Sequence, residues 1–149
     1  MNGTDGEIIL CISASHPGDR LIEEFSDLGC RVVLLTVDEY QDSGWPSNAI
    51  SELHSMPAGM TLQQITNTVT YLARSRKFAR IIALDNFNVQ IAAALREHLR
   101  IPGMGVTTAC YFSDRFAARL KAAQLGMAVP AFTSVANYDE LRQFMQSVP

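Results

Sequence analysis

Three small groups of polar residues stand where apolar runs end or helices begin. The first is "SASHPG", in which Ser13, Ser15 and His16 offer hydroxyls and an imidazole just ahead of a helix-forming stretch. Such groups can hold a small anion together with the free N–H groups of the helix's first turn. They can also serve as turn and capping residues, the commoner use of short polar side chains before a helix. The second group, Asp85 and Asn86, closes the apolar run "ARIIALD". It can hydrogen-bond a substrate amine or hydroxyl at the end of a strand, or cap the helix that follows from Asn88. The third pair, Arg115 and Arg119, lies four residues apart and shares one helix face. Arginine presents a fixed fork of donors to phosphate oxygens, but exposed arginines are common on helices, and on spacing alone a solvated face is the better account.

Other reactive residue types carry less. His54 and His98 have no companion at metal-ligand spacing, and His98 stands late on a helix where a cation is favourable. Cys11, Cys30 and Cys110 are odd in number and lie apart, with no CxxC pair, so buried thiols in a reducing compartment are expected. No catalytic residue and no metal site follow from these residues. The first strand end lacks the GxGxxG that brings a backbone close to a pyrophosphate, which excludes NAD or FAD at this turn. A receiver domain's paired acids and a P-loop are absent as well.

The elements that must position these groups alternate. "EIILCIS" (7–13) and "RVVLLTV" (31–37) are continuous apolar runs suited to strands covered on both faces. Between them Leu21, Ile22, Phe25 and Leu28 define one helix face, and Gly29 is a natural stop. Residues 38–51, with Gly44, Trp45 and Pro46, read as a loop, and "ELHSMP" as a short third strand. Thr61 and Gln64 form a capping box ahead of a helix marked by Leu62, Ile65, Val69, Leu72 and Ala73. "ARIIALD" (79–85) is a further strand. "NVQIAAALREHLR" is a helix with Ile91, Ala92, Leu95 and Leu99 inward, and "IPGMG" breaks it. Strands alternating with helices imply an α/β, three-layer Rossmann-like parallel sheet. A helix–strand–helix fragment follows. Ser113 caps a helix with Phe112, Phe116, Leu120 and Ala123 on its apolar side, and Gly126 ends it. "PAFTSV" is a strand candidate, and Asn137 with Glu140 caps a last helix.

Composition sets limits on partners. The 149 residues are 48% hydrophobic and 18% charged, enough to bury a core. A net charge of −3 argues against nucleic acid as a partner. The basic cluster Arg74, Arg76, Lys77 and Arg80 reads as charge opposing a helix dipole. No apolar run approaches the length of a membrane span. The start "MNGTDGEIILCIS" lacks the basic residues of a signal peptide, so a soluble, cytoplasmic protein is expected.

From Asp85 to Pro149 the succession resembles the front of the ATP-grasp superfamily, which includes biotin carboxylase, carbamoyl-phosphate synthetase and D-alanine–D-alanine ligase. The resemblance rests on Pro102-Gly103, on Asp114-Arg115 opening a helix, and on Gly126-Met127-Ala128-Val129-Pro130. It implies a pre-ATP-grasp domain over 1–106 and the opening, incomplete segment of an ATP-grasp domain over 107–149. Arg115 then matches the basic residue that reaches the nucleotide phosphates. Most relatives carry lysine there, and arginine preserves the role. The implied parent is a ligase that uses ATP and magnesium to join a small carboxylate to an amine or thiol through an acyl phosphate. The family's lysine-bearing strand, adenine hinge, glycine-rich flap and magnesium-binding acids are not among these residues. The resemblance therefore implies that the chain alone is inactive and binds no cofactor tightly. Two alternatives stand beside it. One is a non-catalytic Rossmann-like binding module that pairs as a homodimer through its C-terminal segment. The other is a nucleotide-dependent transferase that uses "SASHPG" as its anion turn.

Overall fold

The computed structural model describes residues 6–15 and 18–147. The chain divides into two compact units, Met1–Ala109 and Cys110–Pro149. The first holds strands β1 (Ile8–Ile12), β2 (Arg31–Val37), β3 (Glu52–Met56) and β4 (Phe78–Ala83). They form one parallel sheet in the order β3-β2-β1-β4. Helices α1 (Asp19–Asp27), α2 (Leu62–Ala73) and α3 (Val89–Leu99) cover its faces. The α/β class and the three-layer arrangement expected of the alternating pattern are present.

The continuous apolar runs arise because both sheet faces are covered. Leu10, Ile12, Val33 and Leu35 face one side and pack with Ile65, Val69 and Leu72 of α2 and with Ala92 and Leu95 of α3. Their alternates Ile9, Cys11, Val32 and Leu34 face the other side and pack with Ile22 of α1 and with Trp45. Side chains alternate across a strand, so two-sided burial demands an apolar residue at every position.

Local signals fix most helix ends. Thr61 and Gln64 form the expected capping box, with Thr61 N donating to Gln64 Oε1 at 2.8 Å. Gly29, at φ 80°, closes α1, and Cys30 N donates back to Phe25 O at 2.9 Å. Two expectations for the helix faces fail. Leu21 on α1, Leu28 just past its end and Leu62 on α2 are exposed. On the α1 face the Trp45 loop takes part of the sheet, so the helix buries only a narrow stripe through Ile22 and Phe25.

The chain beyond α3 departs further from expectation. Helix α4 (Val106–Ser113) has no counterpart among the elements expected from sequence. Its first N–H, at Val106, is taken by Glu97 Oε1 at 2.9 Å, a cap supplied from α3 that leaves no local signature. Ser113 ends α4 and does not cap α5 (Arg115–Gln124). Asp114 does, its Oδ1 accepting from Phe116 N at 2.8 Å and Ala117 N at 3.1 Å. The strand expected over 130–135 does not form. A strand needs a neighbour for its N–H and C=O groups, and among the described residues the only sheet lies in the first unit. Phe132 instead meets Phe116 edge to face at 5.6 Å between ring centroids. Asn137 caps α6 (Tyr138–Ser147) as expected, accepting from Asp139 N at 3.0 Å and Glu140 N at 3.3 Å.

Candidate functional site

The carboxyl ends of β1 and β4 meet because the two strands are paired, Ile12 against Ala83. Beyond them the chain places Ser13 and Asp85 together, although they are 72 positions apart. Asp85 Oδ2 accepts from Ala14 N at 2.6 Å, from Ser13 Oγ at 3.1 Å and from Ser15 Oγ at 3.4 Å. Its Oδ1 accepts from Asn88 N at 2.9 Å, and the Asn88 side-chain amide bonds the same oxygen at 2.9 Å. Asp85 thus clamps the loop after β1 to the turn after β4 while capping the start of the α3 segment. The capping reading of Asp85 describes this carboxylate. Its oxygens are nearly saturated by protein donors, which makes it a positioning group.

Ser13 is fully buried, and its hydroxyl also lies 2.5 Å from Ser15 O. It has one proton for two acceptors, so it locks the loop and is not a free nucleophile. Neither Ser13 nor Ser15 caps α1. Gly18 holds that place at φ 103°, with no side-chain bond, and a Cβ there would meet Leu84 at 3.0 Å. Asp19 stands in the first turn of α1, where its charge already complements the helix dipole. His16 lies outside the described residues.

Asn86 is exposed and forms no hydrogen bond among the described residues, and Phe87 beside it is 81% exposed. Among the described residues these two side chains stand exposed at this edge. Sequence alone did not point to Asn88, which is 2% exposed and bonds both Asp85 oxygens. Its signal is the i, i+3 spacing of Asp85 and Asn88, typical of a polar cap. Nor did it point to Thr36, at the carboxyl end of β2 beside β1, whose buried hydroxyl has no hydrogen-bond partner among the described residues.

Arg115 belongs to the second unit, where it opens α5 behind the Asp114 cap. It is exposed and has no hydrogen bond or ion pair among the described residues, so its guanidinium is available to an anion. Among the described residues no group of three or more His, Cys, Asp or Glu side chains could hold a metal ion. No described helix is long and apolar enough to cross a membrane.

No protein-family model matches the sequence. No curated protein matches it either. Solved structures do. L-amino acid ligase from Bacillus licheniformis matches 89% of this chain with 34% of its own, at 20% identity and a TM-score of 0.72. Phosphoribosylglycinamide synthetase from Anaerococcus prevotii matches 97% with 35% of its own, at 14% identity and a TM-score of 0.73. The biotin carboxylase domain dimer of Hydrogenobacter thermophilus 2-oxoglutarate carboxylase, in complex with MgADP, ADP and bicarbonate, matches 94% with 33% of its own, at 15% identity and a TM-score of 0.67. The chain spans about a third of the length of these structures. At these identities the likeness is one of fold alone.

Proposed function

We propose that the chain is the N-terminal portion of an ATP-grasp ligase that joins a small carboxylate to an amine or thiol through an acyl phosphate. The observation that carries this reading is the match of 89% to 97% of the chain to the fold of ATP-dependent ligases and carboxylases. Residues 1–106 would form the pre-ATP-grasp domain and 107–149 the opening of the ATP-grasp region. The edge built by Ser13, Ser15, Asp85 and Asn86 would face the substrate, with Asn86 making contact and Asp85 holding the loops. The alternative is a non-catalytic module that pairs as a homodimer through its C-terminal segment.

Of the groups this function requires, the described residues fit one part. Arg115, exposed and unpaired, can make a bidentate contact to a nucleotide phosphate. Such a cation offsets charge on the transferring phosphoryl group. Magnesium finds no ligand cluster among the described residues, so no step is assigned to it through them.

The test is ADP release by a version extended past Pro149, assayed with a panel of amino acids and other carboxylates. Carboxylate-dependent release is expected, and the 149-residue chain alone should show none. In the extended protein Arg115→Ala should weaken ATP binding by roughly tenfold, the loss of one charge-assisted contact. Absence of ATP binding by the extended protein would sink the reading. Unchanged affinity in the variant would leave Arg115 a solvated surface residue.

A further inference from the structure

The opposite, amino-terminal edge of the sheet carries a second feature, unrelated to the Asp85 edge. A cavity of about 720 Å³ opens there between the end of α2, the start of β4 and the end of α3. Its walls carry Arg74, Arg76, Lys77, Arg80 and Arg100, and its lining contains no carboxylate. The whole chain has only 12 Lys and Arg residues and a net charge of −3. Concentrating five of them around one cavity therefore goes against the overall charge balance.

The five cations are not equivalent. Arg76 is committed, donating from Nε to Glu52 at 3.0 Å and from Nη1 to Leu72 O at 3.2 Å. Arg74 lies over the Tyr71 ring at 5.9 Å, which leaves its charge unneutralised. Lys77 and Arg100 have no side-chain partner among the described residues, and exposed Arg80 donates only to the Ala79 carbonyl. Opposition to the helix dipoles accounts for Arg74 and Arg100 at the ends of α2 and α3. Protection of the edge strand accounts for Arg80 on β4. Neither account requires Lys77, nor a shared concave surface free of acids.

Arg100 adds an independent observation. It closes α3 at φ 56° and ψ 38°, the left-handed conformation that glycine ordinarily supplies at a helix end. The backbone bears a side chain where it would more easily carry none, and that residue lines the cavity. Leu99, Ile101 and Phe78 complete the lining with apolar surface.

We propose that this cavity binds a small molecule carrying two or more phosphates, with its less polar part against Phe78, Leu99 and Ile101. The volume is that of an ordinary small-molecule site. A nucleic acid would call for a basic stripe or face and a basic chain, whereas this chain is acidic and five of its twelve cations line one concavity. The site is independent of the proposed ligase reaction and of Arg115.

The experiment titrates the 15N-labelled chain with sodium tripolyphosphate at physiological salt and follows backbone amide shifts. Saturable shifts are expected across residues 73–80 and 99–102. In the double variant Lys77→Glu/Arg80→Glu the affinity should fall roughly tenfold or more, the loss of two charge-assisted contacts. The milder Lys77→Gln/Arg80→Gln should fall in between, and it serves if charge reversal disturbs folding. No saturation, shifts confined to residues 13–15, 85–88 or 115, or parental affinity in both variants would overturn the proposal. Tighter binding of a single-stranded RNA oligonucleotide than of tripolyphosphate would overturn it in favour of a nucleic-acid surface.

Discussion

At the scale of single residues, the fold makes two carboxylates structural hubs. Asp85 collects donors from two loops and ties the end of β1 to the end of β4. Asp85→Ala would leave Ala14 N and the Asn88 amide without their acceptor, at a cost of about 1–3 kcal/mol, read as a lowered urea midpoint. An unchanged midpoint would mean that water takes over its bonds. Glu52, at the start of β3, is the other hub. It accepts from Arg76, lies 3.3 Å from His54 Nε2 and 3.8 Å from Arg31 Nη2. The Arg76 hydrogen bond is the chief cause that holds its carboxyl below the ordinary value of 4.5, with partial burial opposing and His54 assisting. A carboxyl lowered in the folded state adds stability above its unfolded value and loses it as pH falls through the folded one. Glu52→Gln should therefore be less stable than the parent at neutral pH. The gap between their urea midpoints should close as pH falls below about 4.5. A gap that stays constant with pH would show that Glu52 acts through packing alone. Asp85 could be singled out from sequence because it ends an apolar run. Its bonds to Ser13 and Ala14 could not, because nothing local announces a partner 72 or 71 positions away.

At the scale of elements, the strands were legible and the helix faces only partly so. β1 and β2 are apolar at nearly every position because each feeds two layers, and that pattern survives in the sequence as an unbroken run. Helix α1 shows why faces are harder. Its apolar residues span a wider arc than the sheet and the Trp45 loop leave room to bury, so Leu28 just past its end remains 76% exposed. Arg96 is the opposite case. It looks like one more surface arginine on α3, yet it is 8% exposed. It donates to Ile81 O at 2.7 Å and from Nε to Met104 O at 2.9 Å. The turn after α3 depends on it, since Gly103 sits at φ 145° and a Cβ there would lie 2.7 Å from Arg96 Cδ. Burial pushes the guanidinium down from its ordinary value, and the two carbonyls keep it satisfied. Arg96→Met fills similar space but strands both carbonyls. A loss of about 2–4 kcal/mol in chemical denaturation is expected, with a loss under about 1 kcal/mol showing that water replaces the donors.

At the scale of the whole molecule, the two units differ in what holds them. The first has a core on both faces of its sheet. In the second, none of the described residues from 110 onward is buried. Leu125, Met127, Val135 and Met145 are exposed by 62% to 83%. The caps at Asp114 and Asn137 each contribute about 1 kcal/mol. That is too little to sustain ten-residue helices such as α5 and α6, because isolated helices of that length are marginal in water. This contrast explains why the sequence is most legible before residue 100. There, tertiary burial writes a periodic pattern, whereas after it caps and turns supply most of the signal. Backbone amide exchange separates the two regimes, since protection reports the free energy of local opening. Amides of β1, β2 and α2 should exchange with the protection of global unfolding, and those of α5 and α6 orders of magnitude faster. Equal protection of α5 and β1 would mean that packing beyond the caps holds the second unit, and that its exposed apolar residues are not a sign of weak support.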